Sequence, residues 1–532
     1  MTMMPSRYWA LLGCALLCAC GGGGGGGSRA PTPAAPSPTP APSSSDFDRG
    51  IFQAPSVYKD LCTNPRSGPG FADLPGTTED ENDWLRAWSH DLYLWYEEIV
   101  DEDPEQFQTL PYFDLQRTFS TTPSGAEKDQ FHFTFDTQKW EQLSQAGVSA
   151  GYGLELAVVQ ASPPRQVYVA FVEPGSPAGN VGLTRGERIV GVDGFDIVSD
   201  PSKAAVDAIN AALLPSAAGQ QHDFVLEAFD GSSTRSVSLT SANVTSDPVP
   251  VLEIIGTASG PVGYLLFNTH IATAEEALID AVNSMIASNV ADLVLDLRYN
   301  GGGFLDIANE LAFMIAGPAA AQGRVFDEIQ FNDKHLSVNP VTGAALAPDF
   351  FHTTSQGFSV TSGQNLPSLS LPRVFVLTGP GTCSASETII NGLRGIDVEV
   401  IVIGEQTCGK PYGFYPFDNC GTTYFSIQFS GSNEKGFGDY ADGFIPRETE
   451  DPNDAAVVKG CVVADDLGNA LGDPAESRLA TALSYIANGS CPASGTLSGA
   501  SKSLVAAKSL RANSSSAIGS TSVQMPGSIK RR

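Results

Sequence analysis

Val374-Phe375-Val376-Leu377-Thr378-Gly379-Pro380-Gly381-Thr382-Cys383-Ser384-Ala385-Ser386-Glu387 is followed, past a helical stretch, by Val398–Ile403 and Gly404-Glu405-Gln406-Thr407-Cys408-Gly409-Lys410. The two apolar, β-branched runs predict buried strands, and the segment starting near Ser386 predicts the helix that connects them. The same rhythm extends upstream. Tyr264–Phe267 and Leu293–Leu297 read as strands, and Leu278, Ala281, Val282, Met285 and Ile286 form one helical face between them. Strand-helix-strand repetition of this kind predicts an α/β core from about residue 250.

Two of the strand ends have the chemistry of a catalytic site. Asp296-Leu297-Arg298-Tyr299-Asn300-Gly301-Gly302-Gly303 is a strand running into a glycine turn, where backbone N–H groups can be aimed at a developing anion. Ser384 stands on a strand-to-helix turn that holds its hydroxyl outward, with a helix N-terminus behind it. A serine nucleophile needs a base. The histidines are His90, His132, His222, His270, His335 and His352; none lies in a triad motif, and G-x-S-x-G is absent. Lysine is the other candidate. Its pKa must fall from about 10.4 to about 7–8, which asks burial to destabilise the ammonium by about 4 kcal/mol. Lys410, after a strongly apolar strand, is placed for such desolvation. No CxxC or His-rich spacing suggests a metal.

Upstream of the core, Ser149–Leu156, the alternating Val167, Val169 and Phe171, and Gly186-Glu187-Arg188-Ile189-Val190-Gly191-Val192-Asp193-Gly194 describe short strands and tight turns. With a helix at Ser202–Leu214 and strands near Phe224–Phe229 and Ser236–Leu239, this layout resembles a PDZ domain. The resemblance implies that Gly151-Tyr152-Gly153-Leu154 is the loop offering N–H groups to a peptide's C-terminal carboxylate, the peptide adding as a strand. Before it, Trp84, Trp88, Leu92, Trp95 and Ile99 fall at helical spacing and predict one packed face running from Trp84 to Ile99. A small helical domain is therefore expected at 48–147, the PDZ-like domain at 148–245 and the catalytic domain at 250–492.

The first twenty residues read as an address. Arg7, the apolar run Tyr8–Ala19 and Cys20 resemble a lipoprotein signal, with Cys20 as the acylated residue. The Gly/Pro/Ser-rich stretch 21–47 reads as a tether, and 493–532 as a disordered, acid-free tail. The expected location is exported and lipid-anchored, facing the periplasm and held by the outer membrane. The chain's net charge is −29. Setting aside both ends leaves 22 basic and 59 acidic residues between 46 and 492, which excludes nucleic acid as a partner. Six cysteines remain after the signal and Cys20: Cys62, Cys383, Cys408, Cys420, Cys461 and Cys491. They permit up to three disulfides in any of 15 pairings.

Taken together, Thr382–Glu387, Gly404–Lys410, Asp296–Gly303 and the PDZ-like module resemble the C-terminal processing (tail-specific) serine proteases. That resemblance implies an α/β protease core of ClpP/crotonase-like strand-helix repeats with an inserted PDZ-like β domain. It implies Ser384 as nucleophile, Lys410 as general base, and the N–H groups of Gly302 and Ala385 as oxyanion hole. The implied substrates are proteins or peptides presented through their C-termini, with no metal or organic cofactor. Three departures are visible. Lys410 lies one residue farther from Ser384 than is usual, Phe414 stands where many members carry a glutamine, and Cys383 and Cys408 flank the dyad. A catalytically silent scaffold and an esterase of small acyl substrates are the alternative readings.

Overall fold

The computed structural model describes residues 47–122, 124–493 and 527–530; Cys20, the signal and most of the tether and tail lie outside them. The core is a seven-stranded sheet in the order Val251–Thr257, Gly260–Leu266, Asp292–Asp296, Arg373–Thr378, Glu399–Gly404, Val457–Val462, Ile445–Arg447. Only the first pair is antiparallel. Strand residues alternate between two apolar layers, as a two-residue side-chain period requires. Leu293, Leu295, Val374, Val376, Val400 and Val402 face helices Ala274–Ala287, Leu305–Ala316 and Ala385–Gly395. Val294, Phe375, Leu377, Ile401 and Ile403 face helix Ser477–Asn488. Solvent-poor layers on both sides explain why these strands read as unbroken apolar runs.

Residues 154–240 form a separate sheet with its own apolar core, ordered Thr234–Thr240, Gln221–Glu227, Arg188–Val192, Gln166–Val172, Leu154–Gln160, with Phe195–Asp196 paired to Arg188–Val192; Val148–Gly151 pairs instead with Ala242–Thr245. Helix Lys203–Leu213, capped by Ser202 accepting from the Ala205 N–H, packs on it.

The N-terminal segment is less helical than its periodicity predicts. Its helix is Thr78–Leu92, opened by a Thr77/Asp80 capping box, and the chain turns extended at Tyr93. The reason is tertiary: Leu94 N–H donates to Ile427 O at 2.9 Å, and Trp95 meets the Tyr412 ring edge-on. Trp84 and Trp88 pack with Tyr112, Phe113 and Tyr424, so the helical face buries against the catalytic domain itself. Phe133–Asp136 adds as a strand to Thr422–Phe425, and the Cys62–Cys420 disulfide closes the same junction. The other bridges are Cys383–Cys408 and Cys461–Cys491.

Candidate active site

Ser384 sits between strand Arg373–Thr378 and helix Ala385–Gly395 with φ +62° and ψ −116°, a conformation costly for a residue with a Cβ. Local bonds hold it there. Glu387 Oε2 accepts from the Ser384 N–H (2.8 Å) and from the Lys410 N–H (2.8 Å), while Oε1 accepts from Gly409 N–H (2.9 Å) and the Thr407 hydroxyl (2.6 Å). One buried carboxylate thus fixes both halves of the candidate dyad. Burial pushes that carboxyl up, and these donors oppose the shift. The Cys383–Cys408 bridge, with Cα atoms 5.2 Å apart, ties the same two segments covalently.

Lys410 is fully buried, and its Nζ has no hydrogen-bond partner among the described residues. The ammonium lies 4.1 Å from the Phe414 ring centroid and 4.6 Å from that of Phe131. Burial lowers its pKa to about 7, opposed by the negative charges of Asp129 and Glu387. Phe414 therefore walls the lysine with an aromatic ring and offers it no acceptor. Phe131 and Asp129 come from the N-terminal segment, and Asp129 is itself buried, accepting from Tyr93 Oη–H and Phe131 N–H. No sequence signal pointed to these two residues, because their role comes from a contact made across almost 280 positions.

Gly302, at φ +100°, packs against the serine: a Cβ there would lie 2.9 Å from Cys383 O, 3.0 Å from Ser384 Cβ and 3.1 Å from Ala385 N. Gly302 and the N-terminal residue of the following helix, Ala385, thus come together beside the hydroxyl. In this conformation the Gly302 N–H donates to Asn300 Oδ1 at 3.0 Å. Asn300 organises the turn: its Nδ2 donates to Phe267 O, and its carbonyl accepts from Cys383 N–H and the Ser386 hydroxyl. His270 enters the same wall, Nδ1 3.0 Å from Asn300 Oδ1. Burial drives its pKa to about 3, so it is a neutral structural group.

Behind the turn lies a buried ion network. Arg298 pairs with Asp296 (2.8 Å), Glu476 (2.7 Å) and Asp465 (2.9 Å). Arg185, from the turn before strand Arg188–Val192, donates to Asp465 (2.7 Å) and to Tyr299 Oη (2.6 Å). The Asp-x-Arg spacing in Asp296–Arg298 thus serves to anchor the glycine turn and to join the two domains.

The Gly151–Leu154 loop lies between strands Val148–Gly151 and Leu154–Gln160, with Tyr152 buried and Gly153 at φ +72°. At Gly153 a Cβ would meet Ser176 Cβ at 2.3 Å, so the turn needs glycine for space as well as for φ. Leu154–Gln160 is the edge of its sheet, leaving a ladder open to an added strand. A cavity of about 320 Å³ runs along this loop, bounded also by Leu213, Asn268 and Tyr299, so both domains line it.

Residues 261–414, spanning Gly302, Ser384 and Lys410, match the sequence profile of Peptidase family S41, and residues 142–213 match that of the PDZ domain. The chain is 25% identical over 356 residues to carboxyl-terminal-processing peptidase 2, chloroplastic, of Arabidopsis thaliana, covering 63% of this chain and 62% of that one. It is 25% identical over 270 residues to a carboxyl-terminal-processing protease of Picosynechococcus, covering 51% and 56%. The chain thus spans less than two thirds of the length of these relatives. A crystal structure of an S41-type protein from Bacteroides fragilis shares the fold with a TM-score of 0.55 at 23% identity, covering 79% of this chain and 99% of that one. With a strand-helix core, a separate PDZ sheet and the two sequence matches in register with them, the chain carries a segment matching peptidase family S41 and a PDZ domain, and it is similar over part of its length to carboxyl-terminal-processing peptidases.

Proposed function

We propose that the protein is a serine endopeptidase with a Ser384/Lys410 dyad, acting on protein or peptide substrates whose C-termini dock along Gly151–Leu154. The observation that carries this reading is the state of Lys410: sealed between two rings, without an acceptor among the described residues, and with a pKa of about 7. Such an amine is neutral in a large fraction of molecules at physiological pH and can take a proton.

In this reading Ser384 Oγ attacks the scissile carbonyl carbon while its proton passes to Lys410 Nζ. The tetrahedral oxyanion is received by the N–H groups of Ala385 and Gly302, the latter exchanging its bond to Asn300 Oδ1 for the substrate oxygen. Collapse breaks the C–N bond, and Lys410 returns the proton to the departing amine. Water, deprotonated by Lys410, then cleaves the Ser384 ester and restores the hydroxyl. Glu387 positions both halves of the dyad and touches no substrate.

Export and lipid anchoring through Cys20, with the periplasmic face of the outer membrane as site, complete the proposal. They rest on the signal-like sequence alone; among the described residues no helix is long and apolar enough to cross a membrane. The decisive test is casein or tagged-peptide cleavage by the unmodified chain, Ser384→Ala and Lys410→Ala. Each substitution is expected to reduce turnover by about 10⁴-fold or more, and cleavage that survives Ser384→Ala overturns the mechanism. Incorporation of a fatty-acid probe, lost in Cys20→Ser, tests the anchor.

A further inference from the structure

A segment late in the chain lies in the slot that runs past the serine. Gly527–Ile529 is a strand between Gly302–Phe304 and Tyr412–Phe414, parallel to both. On one flank Gly302 faces Gly527, Gly303 faces Ser528 and Phe304 faces Ile529; on the other, Gly413 faces Ser528 and Phe414 faces Ile529. Without this strand the six-stranded sheet divides into two walls one strand apart, the oxyanion turn in one and the chain just beyond Lys410 in the other. The slot therefore has the width and the hydrogen-bonding edges to hold an extended peptide.

Two of the occupant's side chains, those of Ile529 and Lys530, are specifically housed. Ile529 is fully buried within the main apolar core. Lys530 N–H donates to Phe414 O at 3.2 Å, and its ammonium forms an ion pair with Asp349, the two side chains 12% and 24% exposed. Asp306 and Asp327 add their charge to the same ammonium and, with Asp349, hold its pKa up against burial. Asp327 is buried, and its pKa is raised to about 7, a value that Lys530 holds down and Asp349 pushes up. Gly431 leaves room for it, since a Cβ there would come within 2.5 Å of Asp327 Oδ1. His352 Nε2 closes the rim 3.2 Å from Asp306 Oδ1. Three carboxylates converging in a half-closed pocket destabilise one another unless a cation enters, and here one has.

We propose that Asp306, Asp327 and Asp349 form a subsite of the substrate slot that selects a lysine or arginine side chain, three residues on from the residue facing Gly302, and that Gly527–Lys530 is a tethered occupant competing with substrate for it. The inference rests on the peptidase reading of the same slot and names its substrate class: extended peptides carrying a cationic side chain at that position. The acidic domain around the slot favours the same class.

Binding can be measured without cleavage, in the full chain carrying Ser384→Ala. The probe is a fluorescent peptide with the sequence of residues 521–530, amidated so that a terminal carboxylate does not bring in the PDZ loop. Ile529→Asp combined with Lys530→Glu, which empties the slot, is expected to tighten probe binding by about tenfold or more, the scale of one desolvated charge pair. A probe with norleucine for the lysine is expected to bind the emptied chain about tenfold more weakly, as is the lysine probe when Asp349→Asn and Asp327→Asn are added. Binding is expected to be unchanged by EDTA. Equal binding by filled and emptied chains, equal binding of the two probes, no binding at all, or a requirement for Zn²⁺ at Asp306, Asp349 and His352 each overturns the proposal. Failure of casein cleavage with these binding differences intact would remove the peptidase reading alone; cleavage with no binding differences would remove the subsite alone.

Discussion

Lys410 shows how one buried side chain couples activity to stability. Its pKa of about 7 in the fold lies below the ordinary lysine value of about 10.4. Between those values the unfolded chain binds one more proton than the folded one, so stability rises with pH across the window, and the full cost of burial is present below pH 7. Lys410→Met is therefore expected to raise the melting temperature at pH 6–7 while removing activity; an unchanged or lower melting temperature would contradict the desolvated amine. Turnover by the unmodified chain is expected to climb with pH and level off above about pH 7, read from kcat/KM between pH 5 and 9. Gly302 is constrained in a different way. Gly302→Ala places a methyl against Cys383 O and Ser384 Cβ at φ +100°, and a loss of about 1–3 kcal/mol in stability is expected. Denaturant titration measures that loss, and kcat should fall with it if the proposed oxyanion role of the Gly302 N–H holds.

The elements around Ser384 and Lys410 divide the work of placing and desolvating the lysine. Strand Glu399–Gly404 delivers it, helix Ala385–Gly395 supplies Glu387, and the loop before strand Phe133–Asp136 closes the site with Phe131. Phe131→Ala is expected to admit water to Nζ. Desolvation is the largest cause of the lowered pKa, so relieving it outweighs the lost ring contact, and the pKa rises toward its ordinary value. The pH–rate profile should move to the alkaline side by about one unit, with activity at pH 7 falling and activity near pH 9 recovering. A profile that keeps its midpoint would show that Phe131 does not seal the amine. Helix Thr78–Leu92 packs Trp84 and Trp88 on Phe113 and Tyr424, and Phe113 in turn stacks on His132 of that loop with ring centroids 3.8 Å apart.

Across the molecule, the PDZ groove and the Asp296–Gly303 turn share a wall. Tyr299 lines the 320 Å³ cavity beside the Gly151–Leu154 loop and is the residue before Asn300, which holds Gly302. Arg185 and Asp465 clamp Tyr299 from both domains, and their mutual charges hold the Asp465 carboxyl well below the usual carboxylate range although burial opposes it. Peptides ending in a free carboxylate are accordingly expected to be cleaved faster than their C-terminal amides, by about tenfold for one charge-assisted contact at the loop. Equal rates would mean that the groove does not read chain ends.

Much of this was legible in the linear chain, for physical reasons that act locally. Apolar, β-branched runs such as Val398–Ile403 marked buried strands, the helix expected at Ser202–Leu214 is found at Lys203–Leu213, and Ser384, Lys410 and the Asp296–Gly303 turn stood at strand ends where loops present side chains and N–H groups. Pairings between distant positions could not be read, because loop closure leaves no local trace. Cys62 with Cys420, Phe131 over Lys410, Leu94 bonded to Ile427 in place of a further helical turn, and Gly527–Ile529 laid between Gly302–Phe304 and Tyr412–Phe414 are all of this kind. Sequence order placed Ser384 and Lys410 just beyond two strand ends. The fold supplied the dry, ring-walled environment that lowers the lysine's pKa, because desolvation depends on everything packed around an atom and on nothing in its immediate sequence.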